Sequence, residues 1–108
     1  MSTPTAIESV AAALLAACRD QRPADATPLA ETLTHAEDAY AVQARVAAAL
    51  EGADAPFPRH WKSGGPSRSA VLTHAPLPAA GVWPSPAVAA GFHFNLRLIE
   101  AEIALRLG

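Results

Sequence analysis

The chain has 108 residues, 51% of them hydrophobic, and a formal net charge of −2. That length bounds it to one small domain, and the charge offers no general attraction for nucleic acid or an anionic membrane. A single cysteine excludes an internal disulfide framework and fits a reducing cytoplasm, and no apolar run approaches the roughly 18 residues of a membrane-spanning helix.

The first predicted element is a helix over about residues 5–20. Ile7, Val10, Ala11, Leu14, Leu15 and Cys18 follow the spacing of one apolar face. Thr5 with Glu8 reads as a capping box, which satisfies orphan backbone donors at the helix start. The run "LLAAC" (Leu14 to Cys18) imitates a lipoprotein cleavage site, but no basic stretch precedes it and Glu8 interrupts the apolar segment. Cys18 therefore reads as a packed helix residue. Pro23 and Pro28 break the helix and punctuate the connection after it.

A second helix is predicted over about 34–51. Thr34 and Glu37 read as its capping box, Glu37 and Asp38 lie near the positive end of its dipole, and Gly52 stops it. Its stripe of Ala39, Val42, Val46 and Ala49, flanked by Tyr40 and Leu50, is mostly small. Such a helix approaches a neighbour closely while adding little buried area. Alanine accounts for 27 residues of the chain, so the core rests on 11 Leu, 6 Val, 3 Ile and six aromatics. A domain of this size buries a small share of its surface, which points to a partner chain or a further piece of this one.

Residues 53–90 hold seven of the ten prolines (Pro56, Pro58, Pro66, Pro76, Pro78, Pro84 and Pro86) together with both tryptophans. That density argues against a central strand or a helix, and the tryptophans argue against a disordered linker. An ordered, extended loop region is expected. The last predicted element is β, over 91–107. Phe92, Phe94, Leu96 and Leu98 alternate on even positions, then Ile99, Ala101, Ile103, Leu105 and Leu107 on odd ones. The change of phase predicts a bulge or corner between Leu98 and Ile99. The predicted class is thus α+β: two N-terminal helices, a proline-rich ordered loop region, and strands. There are no internal repeats.

Two places carry candidate chemistry. Glu100 and Glu102 share a strand face, so two oxygen ligands can converge on one hard cation such as Mg²⁺ or Mn²⁺. The alternative is an edge strand whose polar face looks at water. Lys62, the only lysine, sits in "HWKSGGPSRS" (60–69) between Trp61 and Ser63-Gly64-Gly65. There it can orient an anion, or donate a proton if a metal or desolvation lowers its pKa; the alternative is a surface turn. No acidic residue occurs from Ala55 to Ile99, whereas Arg59, Lys62, Arg68 and Arg97 all do. This cationic stretch before two carboxylates suits a small anionic substrate held near a metal, or else is solvated surface. The four histidines have no zinc spacing, and Ser67 and Ser69 lack a nucleophile-elbow pattern.

Taken in order, "EDAYAVQ" (Glu37 to Gln43), "WKSGGPS" (Trp61 to Ser67), "APLPAAGVWPSPA" (Ala75 to Ala87) and "IEAEIALRLG" (Ile99 to Gly108) resemble the 2-keto-4-pentenoate hydratase branch of the fumarylacetoacetate hydrolase superfamily. The resemblance runs from the first helix onward. It implies the start of a mixed β-roll after the two helices. It also implies a cytoplasmic, metal-dependent hydro-lyase of aromatic catabolism, similar to 2-oxopent-4-enoate hydratase. Such enzymes hydrate a 2-hydroxypentadienoate to 4-hydroxy-2-oxopentanoate; related decarboxylases and C–C hydrolases share the architecture. On that likeness Glu100 and Glu102 map to metal ligands for Mg²⁺ or Mn²⁺, and Lys62 to a catalytic residue beside the substrate, a small 2-oxo acid also contacted by Ser67. His60 stands where the family usually has a small residue, and Ser-Gly-Gly-Pro follows Lys62 in place of Val-Gly-Leu. The family's third acidic ligand and most of its β-roll would lie downstream of this strand. The expectation is therefore an N-terminal fragment or truncated reading frame, inactive or nearly so alone, that acts as a homo-oligomer or needs its C-terminal part. The competing expectation is a non-enzymatic helix and strand module that associates with a partner subunit.

Overall fold

A helix needs its first backbone donors satisfied, and in the computed structural model, which describes residues 3–52, 54 and 57–108, Thr3 does this for one of them. The hydroxyl of Thr3 accepts from the Ala6 N–H at 3.2 Å, and Pro4 fills the first turn, where a missing N–H costs nothing. Helix α1 runs Pro4–Asp20 and closes on Gln21, which adopts the left-handed conformation with φ 53°. The cap thus lies two residues before the predicted Thr5.

Helix α2 runs Ala36–Glu51. Its cap is His35 and not Thr34, because the Asp38 carboxylate reaches back to accept from the His35 and Thr34 backbone N–H groups at 3.2 and 3.4 Å. That duty explains why an aspartate is only 1% exposed. Gly52, with φ 91°, ends the helix in a conformation that favours glycine.

The two helices pack along a short seam. Ile7, Val10, Ala11 and Val42 are buried, and Leu29, Leu33, Ala41 and Val46 pack against them. Leu29 comes from a 3₁₀ turn, Thr27–Leu29, in the connection. Arg45 of α2 pairs with Glu8 of α1 across the exposed rim. The seam uses only the N-terminal half of the predicted α1 face: Leu14 and Cys18 are exposed. On α2 Asp38 and Val42 are buried and Val46 is half-buried, whereas Ala39 and Ala49 are exposed.

The proline-rich region corrects the expectation of loops alone. Strand β1, Trp61–Gly64, pairs antiparallel with strand β2, Thr73–Pro76, with Trp61 opposite Pro76, Lys62 opposite Ala75, Ser63 opposite His74 and Gly64 opposite Thr73. The prolines do not prevent this, because the only one within the pairing, Pro76, ends an edge strand. The Leu77 N–H extends the ladder to the His60 carbonyl at 2.9 Å. Ala53, Ala55 and Pro56 of the predicted loop region lie outside the described residues.

A second correction concerns residues 91–107. No strand forms there among the described residues. Period-two alternation states which face of a strand would be apolar, but a strand exists only when a neighbour supplies the ladder, and among the described residues β1 and β2 are the whole sheet. The tail is instead irregular, anchored near its start by Trp83 against Phe92, with ring centroids 4.1 Å apart. The fold shown is a small α+β arrangement of two helices and a two-stranded antiparallel sheet. No helix among the described residues is long and apolar enough to cross a membrane.

Candidate functional site

Residue alternation on β1 sets Lys62 apart from its neighbours Trp61 and Ser63, which point to the opposite face. The Lys62 ammonium meets the tail: Nζ lies 3.0 Å from Glu100 Oε2 and 2.7 Å from Glu102 Oε1. Residues 38 positions apart in sequence thus share one contact. They border a cleft of about 510 Å³ whose other walls are Gln43 from α2, Ser63, Gly64 and Gly65 from the hairpin, Thr73, His74 and Ala75 from β2, and Leu77.

The hairpin is held against α2 by aromatic contact. Tyr40 stacks on His74 with ring centroids 4.7 Å apart and planes 22° from parallel, and Trp61 meets the same imidazole at 5.9 Å. The Trp61 indole N–H donates to the Pro58 carbonyl at 3.2 Å. At the far end of α2, Glu51 Oε1 accepts from the Ala79 N–H at 2.8 Å and ties down the chain leaving β2. Because Tyr40 is the helix residue that meets the hairpin, Tyr40→Ala is expected to loosen it from α2, at a cost of about 0.5–1.5 kcal/mol for the lost ring pair beyond area terms. Urea unfolding followed at the tryptophans reads this, with the helices little changed.

The charges determine what Lys62 can do. Hydrogen bonds to Glu102 and then Glu100, with the field of both carboxylates, hold its pKa above the ordinary lysine value. The same contact from Lys62 holds the Glu100 carboxyl below the ordinary glutamate value. The signs set a window. Glu100, lowered in the folded state, supports the contact above the ordinary glutamate range and loses it as pH falls through the lowered value. Lys62, raised in the folded state, supports the contact up to the ordinary lysine range and loses it as pH rises through the raised value. A nitroxide on Ala104→Cys, in a Cys18→Ala background, is expected to broaden the Ser63 and His74 amide signals at neutral pH and to release them at both extremes.

Glu100 and Glu102 therefore converge on one cation-sized position, which the lysine ammonium fills. Their hard oxygen donors suit Mg²⁺ or Mn²⁺ in type. In number they are two: no group of three His, Cys, Asp or Glu side chains able to hold a metal ion occurs among the described residues. The fit is that of part of a ligand set.

Ser67, the other residue expected to touch substrate, lies in the turn between β1 and β2, where its hydroxyl sits 3.3 Å from that of Ser69. It is not among the residues lining the cleft. Sequence reasoning missed His74, which spacing alone left unassigned. Its signal is the hairpin register, which sets it opposite Ser63. Gln43 belonged to a noticed motif but had no role assigned; one helical turn after Tyr40, it reaches the same cleft.

Comparison with family models, with curated proteins and with solved structures gives no match for this chain.

Proposed function

We propose that this chain carries the lysine and carboxylate part of a divalent-metal-dependent hydratase or lyase site for short 2-oxo acids of aromatic catabolism, of the 2-keto-4-pentenoate hydratase kind. The observation that carries the reading is the convergence of Lys62, Glu100 and Glu102 at one cleft, where the motif resemblance puts one site. In this reading Glu100 and Glu102 would hold Mg²⁺ or Mn²⁺ together with further oxygen donors. When bound, the ion supplies stabilisation of negative charge growing on the 2-oxo oxygen.

Lys62 is then freed to meet the substrate carboxylate as a cation or to hold a proton at Nζ. Of the rings in contact at Tyr40, Trp61 and His74, that of His74 belongs to a residue lining the cleft. With both carboxylates engaged by Lys62, the chain alone is expected to turn over little or nothing, and its activity is expected to need further donors from a homo-oligomer or an additional segment.

The test uses oxalate, which mimics the enolate of a 2-oxo acid. Calorimetric titration is expected to give oxalate binding only with Mg²⁺ or Mn²⁺ present, lost in Glu100→Gln and in Lys62→Met. Oxalate binding that ignores both the metal and these substitutions would overturn the reading.

A specific observation favours a second reading, a non-enzymatic module that associates with a partner. The large apolar side chains of the tail, Leu96, Leu98, Ile99, Ile103, Leu105 and Leu107, are all exposed. A metal-independent complex with no oxalate binding would select it.

A further inference from the structure

From Ile99 onward the tail is amphipathic in the strand sense yet has no ladder partner among the described residues. Ile99 is 97% exposed and Ile103 94%, and Leu105 and Leu107 are similarly bare on the same set of odd positions. Even positions carry Glu100, Glu102, Ala104 and Arg106. A segment that alternates apolar and charged residues and has no ladder partner is a template for pairing with another strand.

The sequence favours one partner, a second copy of itself. Set two tails antiparallel about a two-fold axis through Ile103. Ile99 then faces Leu107, Ala101 faces Leu105, and Ile103 faces its own copy, so one face is apolar throughout. On the other face Glu100 lies opposite Arg106, and symmetry makes that charge pair twice. Opposite charges directly across an antiparallel pair stabilise it, and like charges destabilise it. Moving the axis to Ala101 would set Glu100 against Glu102, and a one-residue shift of the partner would turn its apolar side chains onto the charged face. An axis at Ala104 would also set Glu102 against Arg106, but it places Glu100 opposite Gly108 and takes Ile99 out of the apolar face, so the axis at Ile103 is favoured.

We infer that residues 99–107 form an isologous antiparallel strand pair between two copies of this chain, centred on Ile103. A closed two-fold contact of this kind pairs one edge of each strand in a single step. The inference shares Glu100 with the proposed site, and its test reads chain mass and cross-linking, which do not depend on metal or oxalate binding.

The experiment is made on the full chain with Cys18→Ala as background. Sedimentation equilibrium is expected to give twice the 11.1 kDa chain mass, and Ile103→Lys to return a monomer with unchanged helical circular dichroism. Facing residues of an antiparallel pair have Cα atoms about 4.5–5.5 Å apart, inside the range a disulfide spans. Ile103→Cys is therefore expected to oxidise to a linked dimer. Ile99→Cys and Leu107→Cys are each expected to stay unlinked alone and to cross-link when mixed. Arg106→Glu is expected to weaken the dimer, and Glu100→Arg with Arg106→Glu to restore it. A monomeric wild-type chain overturns the inference. So does self-linking at position 99 or 107, the mark of parallel pairing, or linking at 104 in preference to 103.

Discussion

Val42→Asp is expected to unfold the helical pair. Val42 is 3% exposed and, among the described residues, is the only one of α2 in the buried apolar cluster, where it meets Ile7, Val10 and Ala11 of α1. The substitution puts a carboxylate into that seam. No cation of α2 is near enough in sequence to serve it except Arg45, which already pairs with Glu8. An uncompensated buried charge costs about 3–5 kcal/mol, and a domain of this length has a total stability of about 5–15 kcal/mol. With so small a buried apolar cluster, this protein is expected near the lower end. Loss of the 222 nm helical signal at room temperature is the expected readout. Val88→Asp, at a position 79% exposed, is the control and is expected within about 0.5 kcal/mol of wild type. A Val42→Asp protein that melts like wild type would show that the helices do not pack through this seam.

Lys62→Glu is expected to release the end of the tail around Glu100 and Glu102 from the hairpin while leaving the helices intact. The wild-type ammonium contacts two carboxylates at 3.0 and 2.7 Å; the substitution sets three carboxylates in one place. All three groups are substantially exposed, so the change acts on the position of the tail and little on global stability. The nitroxide on Ala104→Cys reports it: broadening at Ser63 and His74 is expected to vanish in Lys62→Glu and to persist in Lys62→Arg, which keeps the charge. Because the contact is exposed, 1 M salt is expected to reproduce part of the loss in the wild type, where the screening length falls to about 3 Å. Broadening that survives Lys62→Glu would mean the tail is held by something else.

The helices were readable because their determinants are local. Apolar spacing and stop signals placed α1 and α2 within two residues of their observed bounds at either end. The caps were misplaced, since Thr3 and Thr5 offer the same hydroxyl, and since Asp38 outcompetes Glu37 for the backbone of His35. The hairpin was hidden. Trp-Lys-Ser-Gly and Thr-His-Ala-Pro show no apolar alternation, and their pairing across eight intervening residues is a non-local event. Lys62, Glu100 and Glu102 could be chosen by type, but nothing in their spacing measures a 2.7 Å contact. His74 could not be chosen by spacing at all, since its place depends on the hairpin register. The tail shows the converse. Its alternation is strong, yet alternation specifies a face and not a neighbour, so the pattern stands exposed.

The most direct test of the lysine and carboxylate site is a titration with Mn²⁺ followed by electron paramagnetic resonance, on the wild type, Glu100→Gln, Glu102→Gln and Lys62→Met. Loss of free Mn²⁺ signal is expected in the wild type, weakened at least about tenfold by either glutamate substitution. It is expected to be strengthened in Lys62→Met, because the ammonium no longer fills the position between the carboxylates. Equal Mn²⁺ affinity in all four proteins, or none in any, would contradict the assignment of Glu100 and Glu102 as a cation site.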